Sequence, residues 1–108
     1  MRKNLKLRLF LLLSDEPEII VSETNSTVGS WNGNDLTLRC VAKGEPPAKF
    51  QWFKPDGQQI TSNVLSIKDS STVTIQTTAP GDYGQYKCRA NNTAGFNEHN
   101  ITVNQWGK

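Results

Sequence analysis

The chain has two cysteines, and each keeps step with the apolar residues around it. From Leu36 onward, Leu36, Leu38, Cys40 and Ala42 alternate with Thr37, Arg39 and Lys43, the period of a strand with one buried face. From Gln85 onward, Tyr86, Cys88 and Ala90 alternate with Gln85, Lys87 and Arg89 in the same way. Both sulfurs therefore point into the core. Between the two strands, Phe50 and Trp52 of KFQWFK also face inward. Two inward cysteines on different strands, with an inward indole between them, are what an inter-sheet disulfide packed against a tryptophan requires. The alternative is a pair of buried, reduced thiols, and no metal-ligand spacing competes with either.

The remaining segments have the same grain. STVTIQT turns Val73 and Ile75 inward, and ITVN turns Ile101 and Val103 inward. Further strands are expected at Glu18 to Ser22, Ser26 to Gly29 and Val64 to Lys68. Turn-rich stretches (KGEPPA, KPDGQQ, NNTAGFN) separate them, the spacing of an all-β sandwich. At 108 residues there is room for one domain with a small core. The net charge of +2 is too mild, and outside the first eight residues too scattered, to point to nucleic acid.

The opening MRKNLKLRLFLLLSDEPEII stands apart. Its basic start and the apolar run Leu9 to Leu13 fit a secretory signal, although Arg8 breaks the approach and no small-x-small cleavage site follows. It is too short to span a bilayer. Leu5, Leu7, Leu9, Leu11 and Leu13 also alternate as in an extra edge strand, with SDEP then a linker. The expected division is a leader at 1–15, a domain at 16–106 and a tail at 107–108.

Cys40, Trp52 twelve positions later, and DYGQYKC resemble the immunoglobulin fold, with its strand B to strand F disulfide, strand C tryptophan and tyrosine corner. The run CRANNTAG, carried by Cys88, Ala90, Asn92 and Gly95, is similar to the intermediate set (I-set) of that family, as is GNDLTLRC. Within it, FQWFKPDGQQIT and GDYGQYKC look most like domains of neural-type cell-adhesion molecules. The resemblance implies an all-β, immunoglobulin-like sandwich of two antiparallel sheets in Greek-key order. It implies a Cys40–Cys88 disulfide against Trp52, a Tyr86 hydroxyl turned back to the backbone, and a tight hairpin between the last two strands. It also implies a basic partner for Asp82 at the start of strand D, for which Lys68 is the candidate.

Chemistry is hard to find. The single histidine, His99, sits beside Glu98 near the start of the last strand and reads as a solvated surface residue on an edge strand. No phosphate loop, nucleophile triad or acid–base carboxylate pair is apparent, so no enzyme activity, cofactor or metal is expected. Three N-glycosylation sequons begin at Asn25, Asn91 and Asn100, the first two in expected turns and the third pointing outward opposite Ile101. The outer face of strands G, F and C would display Gln51, Phe53, Gln85, Lys87, Arg89, Asn100 and Thr102. Phe53, Lys87 and Arg89 are the interface candidates there, with the ring either an anchor or covered by the two basic stems. A glycan on Asn100 would compete with a contact on this face. Trp31 and Trp106 are placed to pack locally at the ends of the sandwich.

The expected function is that of an extracellular module for protein–protein contact in cell adhesion or recognition. Its partner would be a copy of itself or another immunoglobulin-superfamily chain, and any membrane attachment would come through a parent chain. Two alternatives are an intracellular muscle-type spacer and the ligand-binding domain of a receptor kinase or phosphatase.

Overall fold

The structure, a computed structural model, describes residues 15–106. The expected leader strand or signal and the tail at 107–108 lie outside the described residues. Among the described residues nine strands run in chain order: β1 (Asp15–Ile19), β2 (Thr27–Ser30), β3 (Asn34–Glu45), β4 (Lys49–Phe53), β5 (Gln59–Ile60), β6 (Val64–Ile67), β7 (Ser70–Thr77), β8 (Gly84–Asn92) and β9 (Gly95–Gln105). They form two sheets, β1-β3-β7-β6 and β2-β9-β8-β4-β5. All pairings are antiparallel except β2 with β9, which is parallel. This is the expected immunoglobulin-like sandwich.

The alternation read from the sequence sets the core. Leu38, Cys40, Trp52, Val73, Tyr86, Cys88, Ile101 and Val103 form one buried cluster, with Leu36, Phe50 and Ile75 packed against it. Cys40 of β3 and Cys88 of β8 are joined in a disulfide between the two sheets, Cα to Cα 6.5 Å. Trp52 lies opposite Cys88, and Ser71 lies opposite Cys40. The indole therefore reaches the far sheet beside the sulfurs, where its Nε1–H donates to Ser71 Oγ at 2.9 Å. Ser71 Oγ is in turn 2.8 Å from Ser66 Oγ of β6. A covalent tie and a hydrogen bond thus cross the core side by side, and the one polar group of the indole is satisfied where burial would otherwise penalise it.

Several boundaries differ from expectation. Strand β3 runs on through Glu45 because β1 pairs with its end, Asp15 opposite Glu45 and Ile19 opposite Ala42. SDEP is accordingly not a linker: Asp15, Glu16 and Pro17 belong to β1. Pro17 sits on an edge strand, in the register shift between the paired Asp15 and Glu18, a place where proline is tolerated. The strand expected at Glu18 to Ser22 ends at Ile19 and gives way to a 3-10 turn at Val21–Glu23. The short β5 follows from the Pro55–Gly57 turn, which returns the chain to place Gln59 opposite Phe53 and Ile60 opposite Trp52.

The Tyr86 hydroxyl donates to the Asp82 carbonyl at 2.6 Å, closing the turn before β8. The Asp82 carboxylate caps that turn. It accepts from the Thr78 and Ala79 backbone N–H groups at 2.9 and 3.0 Å and from the Thr78 hydroxyl at 3.2 Å. These bonds, the Thr78 N–H foremost, hold its carboxyl below the usual range against the opposing effect of burial. The cation acting on it is Lys54 rather than Lys68. The expected side-chain ion pair is replaced by backbone donors.

Candidate functional site

The outer face of β4, β8 and β9 has its side chains ordered in transverse rows by strand register. Phe53, Lys87 and Asn100 form one row, Gln51, Arg89 and Glu98 the next, and Lys49, Asn91 and Phe96 the third. Arg89 stands at the centre. Its guanidinium carbon lies 5.5 Å from the Phe53 ring centroid and 4.9 Å from that of Phe96, within reach of both π faces. Its Nε–H donates to Glu98 Oε2 at 2.6 Å, and Lys87 Nζ is 3.5 Å from Glu98 Oε1. The Arg89 hydrogen bond, against weak desolvation, holds the Glu98 carboxyl below the usual range.

The three interface candidates, Phe53, Lys87 and Arg89, are thus brought together. Phe53 is neither a free anchor nor merely covered by aliphatic stems: it is one of two rings flanking a guanidinium. Phe96, 54% exposed, and Glu98 complete the group and were missed from sequence. The signal was present, since Ile101 and Val103 facing inward require 96 and 98 to face outward on the same strand. NNTAGFN reads by composition as turn throughout, while the family resemblance implies a tight hairpin there. The turn is that tight hairpin: Asn92 pairs with Gly95, and Asn92 Oδ1 accepts from the Ala94 N–H at 2.8 Å.

Beside the Phe53 row is a cavity of about 430 Å³, lined among others by Phe53, Lys54, Gln85, Lys87 and Asn100. The three sequon asparagines differ in their surroundings. Asn25 Oδ1 accepts the Arg39 N–H at 2.7 Å. Asn91 lies within β8, not in a turn, and its Nδ2 approaches Lys49 O at 3.5 Å and Gln51 Oε1 at 3.4 Å. Asn100 is exposed on the cavity rim.

His99 is not a solvated residue on an edge. Strand β9 is flanked by β8 and β2, and His99 shares the inward phase of Ile101. Half-buried, it places Nε2 3.0 Å from the Asn25 carbonyl and 3.4 Å from Ser26 Oγ, tying β9 to the segment that enters β2. Among the described residues no group of three or more His, Cys, Asp or Glu is placed to hold a metal, and no helix is long and apolar enough to cross a membrane. Trp106 packs over Gly29, where an added Cβ would come within 1.9 Å of the indole, and its outer surface is exposed. Trp31 is half exposed, and its carbonyl accepts from the buried Thr77 hydroxyl at 2.8 Å.

The two-sheet sandwich, its cross-sheet disulfide and the tyrosine corner define a class that the family comparison confirms: residues 16–92 match the immunoglobulin domain family, and the chain belongs to it. That family is one of non-enzymatic modules.

Among its relatives are the mouse leucine-rich repeat, immunoglobulin-like domain and transmembrane domain-containing protein 3, 31% identical over 82% of this chain, and the chicken neuronal cell adhesion molecule, 30% identical over 84%. The chain spans only 13% and 7% of the length of those two proteins. A solved complex of titin M10 with an obscurin-like 1 immunoglobulin domain matches with a TM-score of 0.74 and 27% identity, covering 85% of this chain and 95% of that one. The titin tandem A164-A165 matches with a TM-score of 0.77 and 22% identity, over 88% of this chain and 49% of that one, a likeness of fold alone.

Proposed function

We propose that this domain is an extracellular contact module of a cell-surface protein, working through the outer face of β4, β8 and β9. The carrying observation is the Phe53–Arg89–Phe96 stack pinned by Glu98. A large, partly apolar surface whose long basic side chain is already immobilised loses little conformational entropy when a partner closes over it. The disulfide between the sheets holds the strands beneath it, and relatives named for cell adhesion support the location. The partner is a protein, a second copy or another immunoglobulin-superfamily chain. Weak single contacts gain strength through many copies on one surface.

Beads coated with the oxidised domain are expected to cluster with one another or adhere to cells displaying the neuronal cell adhesion molecule. Replacing the anchor pair, Arg89→Ala with Phe96→Ser, is expected to weaken that adhesion about tenfold or more. Beads that neither cluster nor adhere, or that do so unchanged by the double substitution, would overturn the proposal.

The likeness to titin M10 in its complex with an obscurin-like 1 domain favours a second reading, a spacer in an intracellular filament. Thiol counting on protein from its native source separates the two. No free thiol supports the contact module, and two support the spacer.

A further inference from the structure

We propose that Asn100 carries an N-linked glycan whose first sugar sits in the cavity beside it, against the Phe53 ring. The site rests on the extracellular reading above, because only the secretory route supplies the sugar donor. Asn100-Ile101-Thr102 lies in a continuous strand that turns Asn100 and Thr102 outward and Ile101 into the core. The Asn25 and Asn91 side chains are engaged with the backbone of Arg39 and Lys49, whereas Asn100 is exposed at the rim of a cavity.

That cavity suits one sugar residue. At about 430 Å³ it falls at the lower end of the roughly 300–1,000 Å³ range of small-ligand sites. Its aromatic wall is Phe53, two strands from Asn100 in the same transverse row, with Lys87 between them. The C–H face of a pyranose carries partial positive charge and stacks on the electron-rich face of such a ring. Lys54, Lys87 and Gln85 line the same space and supply donors for the N-acetyl carbonyl and the hydroxyls. In forming the linkage, the Asn100 amide nitrogen displaces the diphosphate from C1 of a lipid-diphosphate oligosaccharide. The C1–O bond breaks, the C1–N bond forms, the lipid diphosphate leaves, and the amide proton passes to the transferase base. Arg89 lines the same cavity, so a glycan in this seat covers Phe53, borders Arg89, and narrows the protein contact of this face to its Phe96 end.

The test uses the full chain behind an added, cleavable secretion signal in a mammalian host, so that modification is read independently of native location. Intact mass is measured before and after enzymatic glycan removal. One glycan mass is expected to disappear in Asn100→Gln and in Thr102→Ala, which removes the sequon by a different residue. A wild-type chain without that glycan, or one whose glycan mass survives both substitutions, would overturn the site. For the seat, the glycan is trimmed to its first sugar and its N-acetyl and ring protons are followed by NMR. Ring-current displacement from free-sugar positions is expected, and its loss in Phe53→Leu. Free-sugar positions in the wild-type domain would overturn the seat. Native location stands or falls separately, on the thiol count.

Discussion

Tyr86 shows how much one side chain contributes at its corner. Its ring is buried, and its hydroxyl closes the turn through the Asp82 carbonyl. Burial, with the Asp82 charge behind it, pushes its pKa from 10.0 up to about 12. The sign of the pH effect follows. Below about pH 10 both folded and unfolded chains keep the proton, and the stabilisation is complete. Between 10 and 12 the unfolded chain releases the proton more readily than the folded one, so stability falls as pH rises. Tyr86→Phe removes both the hydrogen bond and the titration. The variant is expected to be about 1 kcal/mol less stable than wild type at neutral pH. The gap is expected to close between pH 10 and 12, as read by urea midpoints across that range. A gap that stays constant to pH 12 would count against this role for the hydroxyl.

Elements differ in how plainly the sequence announces them. Strands β3, β4, β7 and β8 could be read from alternation because one face of each is buried: Leu38, Cys40, Trp52, Val73 and Cys88 leave no other phase. Two-residue β5 has too few positions to show a period, and it forms only because the turn before it folds back on β4. The end of β3 reads as a turn, through Glu45 and Pro46, until β1 supplies its partner. At the candidate site, Phe53, Lys87 and Arg89 were legible from phase. Their grouping with Phe96 and Glu98 depended on the register of β8 against β9, which no single strand encodes. Gly84 makes an elemental prediction. At φ +128, with an added Cβ meeting Pro55 Cβ at 3.2 Å, it lets β8 start beneath the Pro55–Gly57 turn. Gly84→Ala is expected to cost about 1–3 kcal/mol, since strain and contact act together. Chemical denaturation checks this, and a cost near zero would mean the turn simply moves aside.

Across the whole molecule, the Cys40–Cys88 disulfide spans a sequence separation of 48 and joins the middle strands of the two sheets. Closing a loop of that length in the unfolded chain removes entropy equivalent to about 4 kcal/mol. Domains of this size have total stabilities of about 5–15 kcal/mol, so the bond supplies a large fraction of the whole. Beside the bond, the Trp52 to Ser71 hydrogen bond also crosses between the sheets, and Leu38, Trp52, Val73, Tyr86, Ile101 and Val103 of the buried cluster carry no sulfur. The double variant Cys40→Ala with Cys88→Ala is therefore expected to retain the sandwich, with its far-ultraviolet dichroism unchanged. Its unfolding free energy is expected to fall by about 4 kcal/mol, with allowance for the small cavities left by the missing sulfurs. If the loss acts through the unfolded chain, the denaturant slope rises as the unreduced constraint disappears and more surface is exposed on unfolding. A variant as stable as the oxidised protein would show that sheet packing alone holds the domain. The rigidity invoked for the contact face would then have to come from the register of β4, β8 and β9 rather than from the cross-sheet bond.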